Sequence, residues 1–302
     1  MDMIRLEGVS KQFGSHEVIK SLNLTVPSQC VFGFLGQNGV GKTTTMKMIL
    51  GLLNPSEGRI FVCDEEVVYG ETRTNRFIGY LPDVPEYYSY MTPREYLKLC
   101  GEMTGMSKAQ IKAKSDELLT LVGLADVNRK IGGFSRGMKQ RLGIAQALLN
   151  EPKILICDEP TSALDPIGRK EILDILHQVK EKTTVIFSTH ILSDVERICD
   201  QVAVLHEGEI VLSGTLTDVK NQHRQDAIRL TFESEKVAKH LMQDFERFKK
   251  VELEGNELTI YVDNLKQDSQ EILKRMTDQN ILLLKYEILE PTLESLFMEV
   301  VR

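Results

Sequence analysis

The residues best suited to chemistry form the run Gly36-Gln37-Asn38-Gly39-Val40-Gly41-Lys42-Thr43-Thr44, which fits the pattern G-x-x-x-x-G-K-[ST] at every fixed position. Gly36, Gly39 and Gly41 admit backbone conformations closed to other residues, so successive N–H groups can turn inward around phosphate oxygens. Lys42 supplies a mobile positive charge for the outer phosphates, and Thr43 a hydroxyl for Mg²⁺. A second group is the adjacent acids Asp158 and Glu159, which end the apolar run Ile154-Leu155-Ile156-Cys157. Asp158 can hold the hydration shell of Mg²⁺, and Glu159 can polarise a water for in-line attack on a γ-phosphate; two acids capping the next helix is the plainer alternative. His190 follows another apolar stretch, Thr183–Phe187. A lone histidine there is ordinarily structural, but at the carboxyl edge of a parallel sheet it sits beside the phosphates. Phe13, next to Gly14, offers a ring to stack on a base face or to pack in the core.

These groups need elements to place them. Cys30–Leu35 reads as a buried strand, and Thr45–Leu50 continues the glycine loop as a helix stopped at Gly51. Strand, loop and helix in that order put the positive end of the helix at the anion. Residues 3–35 alternate in short apolar runs, a β-rich opening. A strand is expected over Arg59–Cys63 and another from Phe77 to the proline at 82. Thr92-Pro93-Arg94-Glu95 and Ser107-Lys108-Ala109-Gln110 have capping-box spacing, so a helical region follows. Ser135 stands where a helix begins and is in the first instance an N-cap. Val202–Leu205 and Glu209–Leu212 form a hairpin across Glu207-Gly208. Near residue 220 the chain becomes a polar linker, Asp218 to Asp226. Beyond it the pattern predicts strand 227–233, helix 235–245, strands 249–254 and 257–262, helix 266–277, strand 281–288 and a last helix from Pro291. That is a ferredoxin-like α+β unit with no chemistry of its own, read as an interaction or regulatory domain.

Composition bounds the rest. The chain has 302 residues, 42% hydrophobic and 27% charged, which suits two globular domains. No apolar run approaches the roughly 20 residues a membrane span requires, and the first residues form neither a signal nor a transit peptide. A net charge of −7 argues against nucleic acid as the main ligand. The clusters Arg136–Lys139–Arg141 and Arg247–Lys249–Lys250 read as solvated helix faces. Five cysteines stand singly, without C-x-x-C pairs, as in a reducing cytoplasm.

Together and in order, these motifs resemble the ATP-binding subunit of ABC transporters, over roughly residues 2–220. The resemblance implies an α/β fold: a P-loop ATPase cassette (1–220) with a mixed sheet core, an N-terminal β-rich subdomain and a helical subdomain near 84–150, followed by an accessory domain (221–302). It implies ATP and Mg²⁺ as ligands. Phe13 corresponds to the adenine-stacking aromatic and Gly36–Thr44, with Asn38 and Thr44, to the Walker A loop. Asp158 and Glu159 correspond to the Walker B acid and the catalytic glutamate, Asp165 in Ser162-Ala163-Leu164-Asp165 to the D-loop, and His190 to the switch histidine. Phe134-Ser135-Arg136-Gly137-Met138 occupies the place of the signature L-S-G-G-Q. The chain departs from the pattern in two places: in the signature Arg136 and Met138 replace glycine and glutamine, and Asp83 stands where a glutamine is general. Asp83 is expected to act through Mg²⁺ or water, its alternative being a solvated loop carboxylate.

The form Phe-Ser-Arg-Gly-Met-Lys-Gln, with Glu290-Pro291-Thr292-Leu293-Glu294-Ser295-Leu296-Phe297 near the end, resembles the exporter subclass that pairs with a separate six-helix permease. The implied partners are that permease and a second copy or a homologous subunit, with Ser135 and Gly137 meeting the γ-phosphate across a nucleotide sandwich. The implied place is cytoplasmic, on the inner face of the membrane. The competing classes are a soluble cassette ATPase acting on nucleic acid or ribosomes, and a nucleotide-gated regulator. The first commonly carries coiled-coil insertions or a second cassette; the second does not require Glu159 and His190.

Overall fold

The computed structural model describes residues 2–222, 226–245, 247–248, 250–289 and 293–300, without the side chains of 222, 295 and 298–300. Lys249 and the Glu290-Pro291-Thr292 segment singled out above lie outside the described residues. The chain forms two compact units, one up to Leu216 and one from Thr217 to Val300.

In the first unit the order is β1 (Asp2–Phe13), β2 (His16–Pro27), β3 (Val31–Leu35), α1 (Lys42–Ile49), β4 (Glu57–Val62), β5 (Glu65–Glu66), β6 (Ile78–Leu81), α2 (Pro93–Met103), α3 (Lys108–Leu121), α4 (Arg136–Leu148), β7 (Ile154–Asp158), α5 (Pro166–Val179), β8 (Thr184–Thr189), α6 (Leu192–Ile198), β9 (Gln201–His206) and β10 (Glu209–Thr215). A short helix, α7 (Leu216–Gln222), follows. Every residue of β3, β7 and β8 is buried. Continuous burial requires cover on both faces, the condition of a parallel sheet wrapped by helices. The six strands run β10-β9-β3-β8-β7-β6, with β9, β3, β8, β7 and β6 parallel and β10 returning antiparallel on β9.

Register then decides where the chemistry goes. Leu35 pairs with Thr189, Asp158 with Ser188 and Leu81 with Cys157. Because these strands point the same way, the chain leaves the sheet at one edge after each of them, carrying Gly36, His190, Glu159 and Asp83. A second, antiparallel sheet, β2-β1-β4-β5, lies beside it. Met46, Met48 and Ile49 of α1 join Ile4, Leu6, Ile60, Phe32, Phe34 and Ile156 in one core shared by both sheets.

The helical region has both expected capping boxes. Thr92 accepts from the Glu95 amide and Ser107 from that of Gln110, each answered by the reciprocal bond. One expectation is corrected here. The Arg136–Lys139–Arg141 cluster is more than a solvated face: Arg141 Nη1 donates to the Val122 carbonyl at 3.2 Å, and Arg136 is engaged as described below.

The second unit comprises β11 (Asp226–Thr231), α8 (Glu235–Met242), β12 (Lys250–Glu254), β13 (Glu257–Val262), α9 (Leu265–Asp278), β14 (Lys285–Leu289) and α10 (Leu293–Val300). The sheet order β12-β13-β11-β14, antiparallel at every pairing, is the ferredoxin-like split βαβ arrangement. Ile228, Leu230, Phe232, Leu241, Phe245, Ile260 and Ile272 form its separate core. The expected strand 281–288 is shorter than its apolar alternation suggests. The Ile281 amide closes on the Met276 carbonyl at the end of α9, and Ile281 and Leu283 pack on the core ahead of the ladder. Helix 235–245 likewise ends at Met242, and a single 3₁₀ turn carries the chain to Phe245.

Candidate functional site

The loop after β3 reaches α1 through Gly41, which caps the helix at φ 110°. A side chain there would also bring its Cβ to 2.5 Å from Ile19 Cδ1, so both conformation and space demand glycine. At Gly36 the obstacle is backbone: a Cβ would lie 2.6 Å from the Leu205 carbonyl oxygen. Lys42, 5% exposed, folds back across this loop, and its Nζ donates to the carbonyls of Gly36 at 2.7 Å and Gln37 at 3.1 Å.

The acids at the end of β7 meet the loop. Thr43 Oγ1 donates to Asp158 Oδ2 at 2.7 Å, and Ser188 Oγ donates to Asp158 Oδ1 at 2.6 Å. The Ser188 hydroxyl also accepts from the Glu159 amide at 3.0 Å, and the same amide lies 3.2 Å from the Ser188 carbonyl. Glu159 is held by them at φ 48°, a left-handed conformation uncommon for residues with a side chain. Its Oε2 accepts from His190 Nδ1 at 2.9 Å, which places the ring proton on Nδ1. Its Oε1 faces Lys42 Nζ at 3.1 Å as an ion pair but receives no well-directed hydrogen bond among the described residues. At an effective dielectric near 20, that pair's attraction is about 5 kcal/mol, enough to offset much of the cost of burying the two charges.

Asn38, Gly39, Gly41, Lys42, Thr43, Thr44, Asp83, Glu159, Ser162 and His190 line one cleft of about 270 Å³. Asp83 is on its rim, yet its carboxylate is engaged: Arg136 Nη2 donates to Oδ1 at 3.0 Å. Four expected residues stand apart from this cleft. Phe13 ends the β1–β2 hairpin, 49% exposed, with Lys11 Nζ 5.0 Å from its ring centre. Ser135 is an exposed N-cap accepting from the Met138 amide, and Gly137 lies in the first turn of α4. Asp165, also exposed, caps α5 through the Gly168 amide at 3.1 Å. Sequence reasoning missed Ser188, whose hydroxyl serves both acids; the only signal for it was its place two residues before His190. It also missed buried Asp194, which accepts from Thr161 at 2.7 Å and Arg169 at 2.6 Å and so ties the segment after Glu159 to α6.

The donor set fits a nucleotide and a hard cation. Hydroxyl and carboxylate oxygens converge at Thr43 and Asp158, as Mg²⁺ prefers. The unfilled acceptor at Glu159 Oε1 is a buried polar atom with capacity for one more donor, such as a water.

Comparison with known proteins agrees. Residues 19–162 match the family described as ABC transporter, and residues 214–301 the ATP-binding protein DrrA1-3-like, C-terminal domain. The chain is 35% identical over 302 residues to the bacitracin transport ATP-binding protein BcrA of Bacillus licheniformis, covering 99% of this chain and 97% of that one. It is 44% identical over 230 residues to the uncharacterized ABC transporter ATP-binding protein YxlF of Bacillus subtilis, covering 76% of each. Among solved structures, an ATP-binding subunit of an ABC transporter superposes with a TM-score of 0.66 at 32% identity, over 73% of this chain and 92% of its own. With the glycine loop, the paired acids and the histidine on one sheet edge, and with similarity along nearly the whole length, this chain belongs to the ATP-binding subunits of ABC transporters, a family of ATPases.

Proposed function

We propose that the chain is the ATP-hydrolysing subunit of an exporter that works through a separate membrane permease, with two cassettes closing around ATP. The observation that carries the hydrolytic reading is the single chain of contacts Lys42–Glu159–His190 beside Asp158–Thr43. The bend at Glu159 is fixed by Ser188, and its carboxylate stands between a lysine and a histidine. In this reading Glu159 receives the proton of the attacking water while the bond between the γ-phosphorus and the bridging oxygen breaks, giving ADP and inorganic phosphate. His190 orients that carboxylate through Oε2, and Lys42 neutralises charge on the outer phosphates. Thr43 and Asp158 would hold Mg²⁺, which supplies Lewis-acid neutralisation of the phosphate oxygens. Asp83, on the cleft rim, would join them when the dimer closes.

The exposed residues Phe13, Ser135, Gly137 and Asp165 are assigned to surfaces completed by nucleotide or by a second subunit. Ser135 and the Gly137 amide lie at a helix N-terminus, which favours anions. No helix among the described residues is long and apolar enough to cross a membrane, so attachment to the inner face would run through the permease. Full-length similarity to a protein named for bacitracin transport supports the exporter reading; the cargo is chosen by the permease. We assign residues 1–220 to the engine and 221–302 to an accessory role in dimerisation or transport.

The test is Glu159→Gln with ATP and Mg²⁺. Loss of the proton acceptor lowers turnover by on the order of 10²–10⁴-fold while ATP still binds, and the variant accumulates as a dimer on size exclusion. Turnover at the wild-type rate, or a monomer at saturating ATP, refutes the assignment.

A further inference from the structure

Asp83 and Arg136, two residues that depart from the expected pattern, are 53 positions apart in the chain and meet at 3.0 Å. We propose that Arg136 is a positioning residue for the nucleotide cleft: it cancels the charge of Asp83, holds that carboxylate at the rim, and makes no contact of its own with nucleotide. The proposal rests on the reading of the cleft as the ATP site.

Three observations lead there. Arg136 is the first residue of α4, at the positive end of the helix, with no acid in the first turn. A cation in that place opposes the helix dipole, so helix stability does not account for it. Next, Asp83 shares the cleft with Lys42, Glu159 and His190. A bare carboxylate on that rim repels a triphosphate, whereas one paired with a guanidinium does not. Finally, the two segments are already fixed to each other. The fully buried Gln140 donates Nε2 to the Asp83 carbonyl at 2.6 Å, and Tyr87 donates its hydroxyl to the Lys139 carbonyl at 2.7 Å. The ion pair therefore joins residues whose backbones are held in place. With the side chains 41% and 46% exposed, it adds little to folding stability. Its effect falls on the potential that nucleotide meets.

The experiment is a double-mutant cycle on the full chain, reading binding of trinitrophenyl-ATP in EDTA so that no metal contributes. Arg136→Gln is expected to weaken binding about three- to tenfold, the scale of one uncompensated charge within a Debye length of the triphosphate. Asp83→Asn, which leaves the guanidinium uncompensated, binds about three- to tenfold more tightly than wild type, and Asp83→Asn/Arg136→Gln, whose rim is neutral again, returns to wild-type binding. Arg136→Lys, which keeps the charge, stays near wild type, and salt at about 1 M shrinks the Arg136→Gln defect. A double variant as weak as Arg136→Gln would show that the arginine touches phosphate directly and would overturn the proposal, as would wild-type binding by Arg136→Gln. Lys42→Ala separates the two levels. If it binds like wild type, the cleft reading itself fails; if it loses binding while Arg136→Gln is unaffected, only the present proposal fails.

Discussion

Replacing Ser188 by alanine removes one oxygen from a fully buried position and leaves every other group of the cleft in place. That oxygen serves two groups: it donates to Asp158 Oδ1 at 2.6 Å and accepts from the Glu159 amide at 3.0 Å. A hydrogen bond to a buried charge contributes about 1.5–3 kcal/mol, and its loss leaves Asp158 with Thr43 as its hydroxyl partner. For a unit of this size each kcal/mol is roughly 2–4 °C, so the first unit is expected to melt about 3–12 °C lower. Its transition is recognised by the upward shift that bound ATP produces. The catalytic effect comes from the other bond. The Glu159 amide keeps only the Ser188 carbonyl, at 3.2 Å, to hold its left-handed bend. A neutral bond is worth on the order of 1 kcal/mol, which is roughly a five- to tenfold fall in kcat if it appears wholly in the barrier. ATP affinity stays within about threefold, because Lys42 and the glycine loop make their contacts elsewhere. Steady-state ATPase assays, nucleotide titration and thermal unfolding read the three quantities separately. An unchanged kcat with a lowered melting temperature would show that Glu159 is held without Ser188, and a selective loss of ATP affinity would contradict the division of labour argued above.

Two further outcomes are expected. Truncation after Gln222, at the end of α7, retains ATP binding because every cleft residue precedes it, and the loss falls on dimerisation or transport; a folded, truncated cassette that fails to bind nucleotide would refute that boundary. All five thiols are pushed above their ordinary pKa chiefly by burial, Cys30 to about 11, so at pH 7.5 each is overwhelmingly protonated and reacts slowly with a disulfide reagent until denaturant is added. A native thiol reacting at the rate of free cysteine would contradict this.

What could be read from the sequence was what depends on neighbours in the chain. The glycine loop, the Ser135 cap and the capping boxes are each set within a few residues, so type and spacing suffice. Ser188 was not legible because its partners come from the pairing of Asp158 with Ser188 across β7 and β8, which no local spacing states. The pairing of Asp83 with Arg136 is hidden for the same reason: it joins the loop after β6 to the start of α4, 53 positions further on. At 281–288 the apolar alternation was real but served packing at Ile281 and Leu283 before it served a strand. The roles proposed for Phe13, Ser135 and Gly137 would be completed by nucleotide or by a second subunit, which no local spacing states.

The position of β3 in the middle of its sheet has a consequence for synthesis. Its ladder partners, β8 and β9, are encoded about 150 residues further on, and at about 5–20 residues per second the ribosome needs roughly 8–30 s to deliver them. The β1–β2 hairpin can pair at once, but Val31-Phe32-Gly33-Phe34-Leu35 emerges as an apolar strand with both edges open. During that interval ATP has no folded pocket to enter, so nucleotide cannot rescue a nascent chain. Slowed elongation between α1 and β8, or a shortage of chaperones that cover apolar segments, should lower the yield of this subunit more than comparable stress applied after His206 has emerged.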